Sequence, residues 1–328
     1  MALRNTKKKG TRASTDSRVY ADLKQLIALQ NQTSGFSFLP TQPVHSVLAG
    51  RHASRLRGRG LNFEELRHYR IGDDIRSMDW KVTNRTRKPH VRVYTEERER
   101  PLLLLVDQRQ TMFFGSQKKM KSVVATEVAA LIAWRMLAAG DCVGAIVFND
   151  NDVAEVKPQR SRNTVMQILQ HSVNMNHALA AGKVNGDGKS TASQQLNHVL
   201  GLAQRVCVHD YLIVVISDLS GWNELSVKRI KSLSRHNDLI ATLIYDPLEK
   251  ELPDSQQLVV SDGELQIEVD VRKRDLKHQF TQRFVSSVEF LQQELKKYDV
   301  PVIPTNTVVP VQDQFRKSMG DSAKAMQP

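Results

Sequence analysis

From Pro101 onward the sequence predicts a doubly wound α/β fold on a mainly parallel sheet, and three observations carry that expectation. Short apolar segments alternate with longer helical patterns. The apolar segments are continuous runs, such as Leu102-Leu-Leu-Leu-Val-Asp107 and Leu212-Ile-Val-Val-Ile-Ser217, as expected of strands covered on both faces. Two of them end in or beside a carboxylate, at Asp107 and Asp218, and an open α/β sheet binds ligands outside the carboxyl ends of its strands.

The elements follow in order. Residues 1–13 read as a basic flexible tail, since Arg4 and Lys7 to Lys9 lack apolar company. A helix is expected over 14–31, with N-cap candidates from Ser14 to Asp16 and one apolar face at Val19, Leu23, Leu26 and Ile27. Pro40, Pro43, Gly50, Gly58 and Gly60 punctuate an irregular stretch, and His90 to Thr95 alternates like a strand. Residues 14–100 thus read as a helix followed by a small irregular, β-containing arm.

The main domain is expected over 101–306. It begins with a strand at 102–107, a helix at 118–139 and a strand at 142–148, entered through Gly140-Asp141. A hairpin partner near Val153 to Val156, helices near 161–172 and 190–206, and a strand at Tyr211 to Ser217 follow. A helix at 223–235, a strand at Leu239 to Tyr245, an amphipathic helix at 273–298 and a strand at Val300 to Ile303 complete the alternation. The helix at 273–298 carries its apolar face on Leu276, Phe280, Phe284, Val288, Leu291 and Leu295. Residues 174–191 read as a long loop, and 307–328 as a C-terminal tail, mobile from Gln312.

Charge is unevenly placed. The chain of 328 residues has a net charge of +12, and residues 1–100 hold 21 Lys and Arg against 10 Asp and Glu. Such a third suits a polyanion, an acidic protein or an anionic surface. Cys142 and Cys207 cannot build a disulfide framework, which fits a reducing compartment. No apolar run approaches the roughly 18 residues that span a bilayer, and no signal-peptide core is present, so a cytoplasmic protein without a membrane span is expected. Gly186-Asp-Gly-Lys-Ser-Thr191 ends like a phosphate-cradling loop. Lys183 stands where such a loop needs its first glycine, and no apolar strand leads in, which argues against an ATPase. The histidines form no zinc-ligand pattern, and no Ser-His-Asp or Cys-His set stands at an interpretable spacing.

Two motifs carry a resemblance. Tyr69-Arg-Ile-Gly-Asp-Asp-Ile-Arg-Ser-Met-Asp-Trp80 has the spacing Tyr-x-x-Gly-Asp-Asp-x-Arg-x-x-Asp-Trp, with Arg85 downstream. It resembles the signature of the bacterial family called domain of unknown function 58, from about Gly58 through Asp150 and more weakly at Ser217-Asp218. The signature positions here are Tyr69, Gly72, Asp73, Asp74, Arg76, Asp79, Trp80 and Arg85. The resemblance implies a von Willebrand factor A-like, Rossmann-like domain and a protein commonly encoded beside MoxR-type AAA+ ATPases, with roles in assembling or maturing other proteins. Physically, Gly72 suits a turn, and the acidic residues can pair with Arg67, Arg70 and Arg85. The arm can serve as a docking surface or as an ion-paired scaffold.

The second motif is Asp107-Gln-Arg-Gln-Thr111, which resembles the metal-binding turn Asp-x-Ser-x-Ser of von Willebrand A-like domains, with Arg109 in place of the first serine. That resemblance implies a binding site on three loops: Asp107, Arg109 and Thr111, then Thr191 or Ser190, then Asp218. A magnesium ion, if bound, would draw on Asp107, Thr111 and Asp218, leaving one position for an acidic side chain of a partner. A guanidinium has five donors and no lone pair, so it cannot coordinate a cation. The expectation is therefore a degenerate metal-ion-dependent adhesion site with no metal and no cofactor. Arg109 would stand in for the ion, reach an acidic partner through a bidentate contact, or lie over the surface. The functional expectation is a non-enzymatic adaptor that binds a MoxR-type AAA+ ATPase, its client, or both. The alternative is a nucleic-acid-binding protein that uses the basic N-terminal third.

Overall fold

The continuous apolar runs of the sequence become the strands of one six-stranded sheet. The computed structural model describes residues 16–33, 61–96, 101–180, 188–250, 257–261, 266–270 and 274–324. The first half comprises α1 (Leu23–Ala28), β1 (Leu61–His68), α2 (Trp80–Thr86), β2 (His90–Glu96), β3 (Leu102–Asp107), α3 (Lys121–Ala139), β4 (Val143–Phe148), β5 (Val153–Gln159) and α4 (Arg162–His177). The second half comprises α5 (Gly188–Val206), β6 (Leu212–Ser217), α6 (Glu224–Leu233), β7 (Asp238–Tyr245), α7 (Pro247–Lys250), β8 (Gln257–Ser261), β9 (Gln266–Asp270), α8 (Arg274–Lys296), β10 (Val302–Asn306) and α9 (Val311–Lys324). Residues 61–96 belong to one compact unit and the other described residues to a second.

In the larger unit the strand order is β10-β7-β6-β3-β4-β5, all parallel except β5, which runs antiparallel to β4. This is the doubly wound, Rossmann-like order, reversing between β3 and β6. Because side chains alternate along a strand, β3 feeds two cores. Leu102, Leu104 and Val106 pack with apolar residues of α3 and α4, whereas Leu103 and Leu105 pack with those of α5 and α6. The strands and helices predicted from 101 to 303 thus appear close to their expected bounds. Of the expected face of α8, Leu295 is buried and Phe284, Val288 and Leu291 are half-buried, while the side chains of Leu276 and Phe280 lie outside the described residues.

Helix α3 is the central pillar. It is apolar on nearly every side and closes at Gly140, whose φ of +89° lets its N–H reach Leu137 O while Asp141 N–H reaches Met136 O. By length and composition this helix could cross a membrane, but 78% of the apolar window is buried inside the domain, as in a core helix. The sequence showed no unbroken apolar run there because Glu127 and Arg135 interrupt it.

Three boundaries are corrected. The N-terminal helix is short, and it belongs with the α/β domain rather than with the arm. Leu26 is buried in the α3 core, and its carbonyl accepts from Trp134 Nε1 at 3.0 Å. Ala21 N–H donates to buried Asn176 Oδ1 at 2.7 Å, and Asn176 Nδ2 donates to Gln108 Oε1 at 3.1 Å. The expected C-terminal tail contains α9, anchored by Val311 and Phe315, one helical turn apart and both buried. The long loop is also shorter than expected, because α4 runs to His177 and α5 starts at Gly188; residues 181–187 lie outside the described residues. So do the basic tail at 1–13 and the irregular stretch at 34–60.

The smaller unit pairs β1 with β2 antiparallel and places α2 between them in sequence. If residues 16–33 are a structural part of the α/β domain, Leu26→Ala should lower its stability by about 2–5 kcal/mol, as for other buried leucines. Ile71→Ala, at a fully exposed position, should change stability by less than about 0.5 kcal/mol. Urea unfolding followed by circular dichroism checks both, and equal small effects would show that α1 is peripheral.

Candidate functional site

The sheet order reverses between β3 and β6, so the crevice of a doubly wound sheet falls outside their carboxyl ends. Asp107 ends β3, Ser217 ends β6, and Asp218 follows. The chain turns after Asp107 because its Oδ1 accepts the Arg109 N–H at 2.9 Å, a local turn bond of the kind aspartate favours. That turn brings the guanidinium back over its own carboxylate. Arg109 Nε lies 2.9 Å from Asp107 Oδ1, and Nη2 lies 2.6 Å from Oδ2.

Arg109 also ties β3 to the loop after β6. Its Nη1 donates to Ser220 O at 3.0 Å, and Nη2 stands 3.8 Å from Asp218 Oδ1. Ser217 Oγ donates to Asp107 Oδ2 at 2.6 Å and accepts the Leu219 N–H at 2.9 Å. Leu219 holds a left-handed backbone, φ 56°, which is uncommon for a bulky residue, yet its side chain is buried. The side chains of both Arg109 and Asp107 are fully buried, and the guanidinium lies 5.7 Å from the centre of the Phe148 ring. Burial alone would lower the Arg109 pKa, but the charge and hydrogen bonds of Asp107 outweigh it and raise it.

A second cation, which the sequence did not reveal, completes the edge. Lys121, the first residue of α3, places Nζ 3.1 Å from Asp218 Oδ2 and 2.6 Å from Glu249 Oε1. A cation at a helix N-terminus opposes the helix dipole, so an almost fully buried lysine there needs acidic partners. Its position at the head of an apolar helix was the available signal. Burial lowers the Lys121 pKa, and Asp218 and Glu249 reverse this and raise it. For Asp218, burial pushes the carboxyl up, while Lys121 and Arg109 pull harder and hold it at about 2.

Beyond Lys121 lies a carboxylate brace. Buried Asp246 accepts from Ser116 Oγ, Ser116 N at 2.9 Å and Thr307 Oγ1 at 2.5 Å, joining loops that follow β3, β7 and β10. Glu249 Oε2 accepts the Asp246 N–H at 2.9 Å, while Asp246 Oδ1 accepts from Leu248 N at 2.9 Å. On the other side, Asp150 Oδ2 accepts the Gln110 N–H at 2.7 Å, and burial raises the Asp150 carboxyl. Of the expected residues, the structure brings Asp107, Arg109 and Asp218 together. Thr111 sits at an exposed position of the 3-10 turn Gln110–Met112 that follows Arg109. The side chains of Ser190 and Thr191, within α5, lie outside the described residues.

The signature arm forms a local scaffold. Gly72 turns at φ +105°, and Asp73 takes a bidentate contact from Arg67 at 2.7 and 2.8 Å, which lowers its pKa. Asp79 caps α2 through the Lys81 and Val82 N–H groups and pairs with Arg92 at 2.8 Å, not with the arginines expected from sequence. Asp74 caps a single 3-10 turn at Arg76 N. Tyr69 is half-buried with its N–H on Pro89 O at 2.9 Å; Arg76, Trp80 and Arg85 are exposed.

Because the Asp218 pKa is depressed in the folded chain, its ion pairs contribute fully above the ordinary carboxylate value of 3.8 and are lost as pH falls toward 2. Urea unfolding between pH 5 and pH 2 should show wild type losing stability faster than Asp218→Asn, so that the gap between them narrows. Parallel curves would contradict the ion-pair assignment.

Comparison with known proteins places this geometry. Uncharacterized protein Mb1516 of Mycobacterium bovis and uncharacterized protein Rv1480 of Mycobacterium tuberculosis are each 30% identical over 226 residues, 68% of this chain and 67% of theirs. An aerotolerance-related membrane protein from Bacteroides fragilis aligns in structure at 15% identity and TM-score 0.41, over 69% of this chain and 98% of its own. BatB from Bacteroides thetaiotaomicron aligns at 13% identity and TM-score 0.39, over 68% and 98%. The family model described as protein of unknown function DUF58 matches residues 65–289, spanning both the Gly72-Asp73-Asp74 arm and the Asp107 and Asp218 edge, and the chain belongs to that family.

Proposed function

We propose that this chain is a non-enzymatic protein-binding adaptor whose Asp107, Arg109 and Asp218 edge engages a partner without a bound metal. In this reading it works in the cytoplasm with a MoxR-type AAA+ ATPase or that ATPase's client, in protein assembly or maturation. The observation that carries the reading is that two side-chain cations, Arg109 and Lys121, occupy the carboxylates that an ion would need.

A divalent cation does not fit this donor set. Magnesium wants an octahedral shell of oxygen ligands. Both Asp107 oxygens already accept from Arg109, and Asp218 is shared between Ser220 N and Lys121. A third cation would also meet the repulsion of two fixed ones. The same ion pairs speak against turnover, because a general acid or base works best with a pKa near the operating pH. Asp218 is instead held ionised and Lys121 protonated.

Exposed basic residues on the described arm favour a second reading. Arg70, Arg76, Lys81, Arg85, Arg87 and Lys88 are exposed and make no ion pair among the described residues, close in sequence to exposed Trp80. Such a face suits nucleic-acid phosphates with an aromatic stacking surface.

Affinity capture with tagged protein from a desalted, nuclease-treated lysate, in parallel with added magnesium and with EDTA, separates the readings. Recovery of a MoxR-type ATPase in both conditions is the expected outcome. Recovery only with magnesium would contradict the metal-free edge. Failure in both conditions, together with nucleic-acid binding that weakens steeply between low and physiological salt, would favour the second reading.

A further inference from the structure

We infer that Glu249 is an internal stand-in for a carboxylate of the binding partner, covering Lys121 until an acidic side chain of that partner displaces it. This deepens the adaptor reading and rests on it, since it names the chemistry that the edge recognises and the contact that holds it closed.

Four observations converge. Lys121 Nζ is held by two carboxylates of unequal character: the Asp218 side chain is 5% exposed, whereas that of Glu249 is 31% exposed. Asp218 is fixed from several directions, by Ser220 N at 2.9 Å, by Arg109 and by Lys121 itself. Glu249 reaches in from the four-residue helix α7, and its other oxygen accepts the adjacent Asp246 N–H. Asp246 stays anchored by Ser116 and Thr307 whether or not Glu249 is engaged, so Glu249 can leave without dismantling the brace.

The charges make the exchange even-handed. Replacing one carboxylate by another at Lys121 changes no net charge at the edge, so the incoming group avoids the penalty of leaving a buried ammonium without its outer partner. Phe114, 37% exposed, lies 5.9 Å from Lys121 Nζ across its ring. It offers an apolar rim beside the ammonium for the stem of an aspartate or glutamate. The ligand class is thus a carboxylate on a protein surface, with Lys121 as its charge partner and Glu249 as its competitor.

Sodium acetate is the probe, with sodium chloride at equal ionic strength as control, and the readout is the melting temperature of the full chain. Ligand that binds only the folded state raises that temperature in proportion to the logarithm of one plus its concentration over Kd, from which an apparent Kd is fitted. Glu249→Ala should show an apparent Kd for acetate at least about tenfold lower than wild type. Glu249→Gln, which preserves the shape and a hydrogen bond to the Asp246 N–H, should show the same direction. Adding Lys121→Met to either variant should abolish the acetate effect. Equal acetate responses in wild type and both Glu249 variants, or a response that survives Lys121→Met, would overturn the inference. If acetate binds as expected while wild-type capture recovers no ATPase, the adaptor reading alone falls; if capture succeeds in EDTA while acetate discriminates nothing, only the role of Glu249 falls.

Discussion

The buried pairing of Arg109 with Asp107 is the constraint on which the rest of the edge depends. It sits where the strand order reverses, and it joins the end of β3 to the loop after β6 through Ser217 and Ser220. A fully buried guanidinium is tolerable only when its charge and donors are met, and breaking such a pair by removing one partner typically costs about 3–5 kcal/mol. The left-handed Leu219 backbone is held in the same knot, between the Ser217 hydroxyl and the carbonyl that Arg109 binds one residue later. Side chains from within the chain hold the end of β3 and the loop after β6 together.

Lys121 extends that principle outward. From the N-terminus of the central helix it fixes Asp218 and recruits Glu249, whose neighbour Asp246 ties the loops after β3, β7 and β10 together. The helix and the loops therefore share one electrostatic framework, and the buried polar chain Ala21, Asn176, Gln108 carries the N-terminal segment to the residue next to Asp107. Specific pairing costs desolvation, but each buried charge here has a named partner, which is the condition under which such networks order a structure.

Much of this was legible in the sequence, for identifiable reasons. Strands buried on both faces leave unbroken apolar runs, so β3, β4, β6 and β7 could be read directly. Arg109 drew attention in the sequence because it breaks the resemblance of Asp107-Gln-Arg-Gln-Thr111 to an Asp-x-Ser-x-Ser turn. Lys121 did not, because its partners lie 97 and 128 residues away and no local pattern links them. The apolar face of α1 was visible, but which unit it would cover depends on Trp134 and Asn176, which sequence order cannot associate with it. Helix α9 was hidden because, among its described side chains, Val311 and Phe315 alone are buried in a largely polar segment.

Anomalous scattering from crystals of this protein soaked in manganese chloride tests the central claim most directly, because manganese takes oxygen ligands of the same kind as magnesium. The account predicts no peak at ligand distance, about 2.1 Å, from the carboxylates of Asp107 and Asp218, with Arg109 still seated between them. An ordered peak bridging those two carboxylates, with Arg109 turned away, would contradict it.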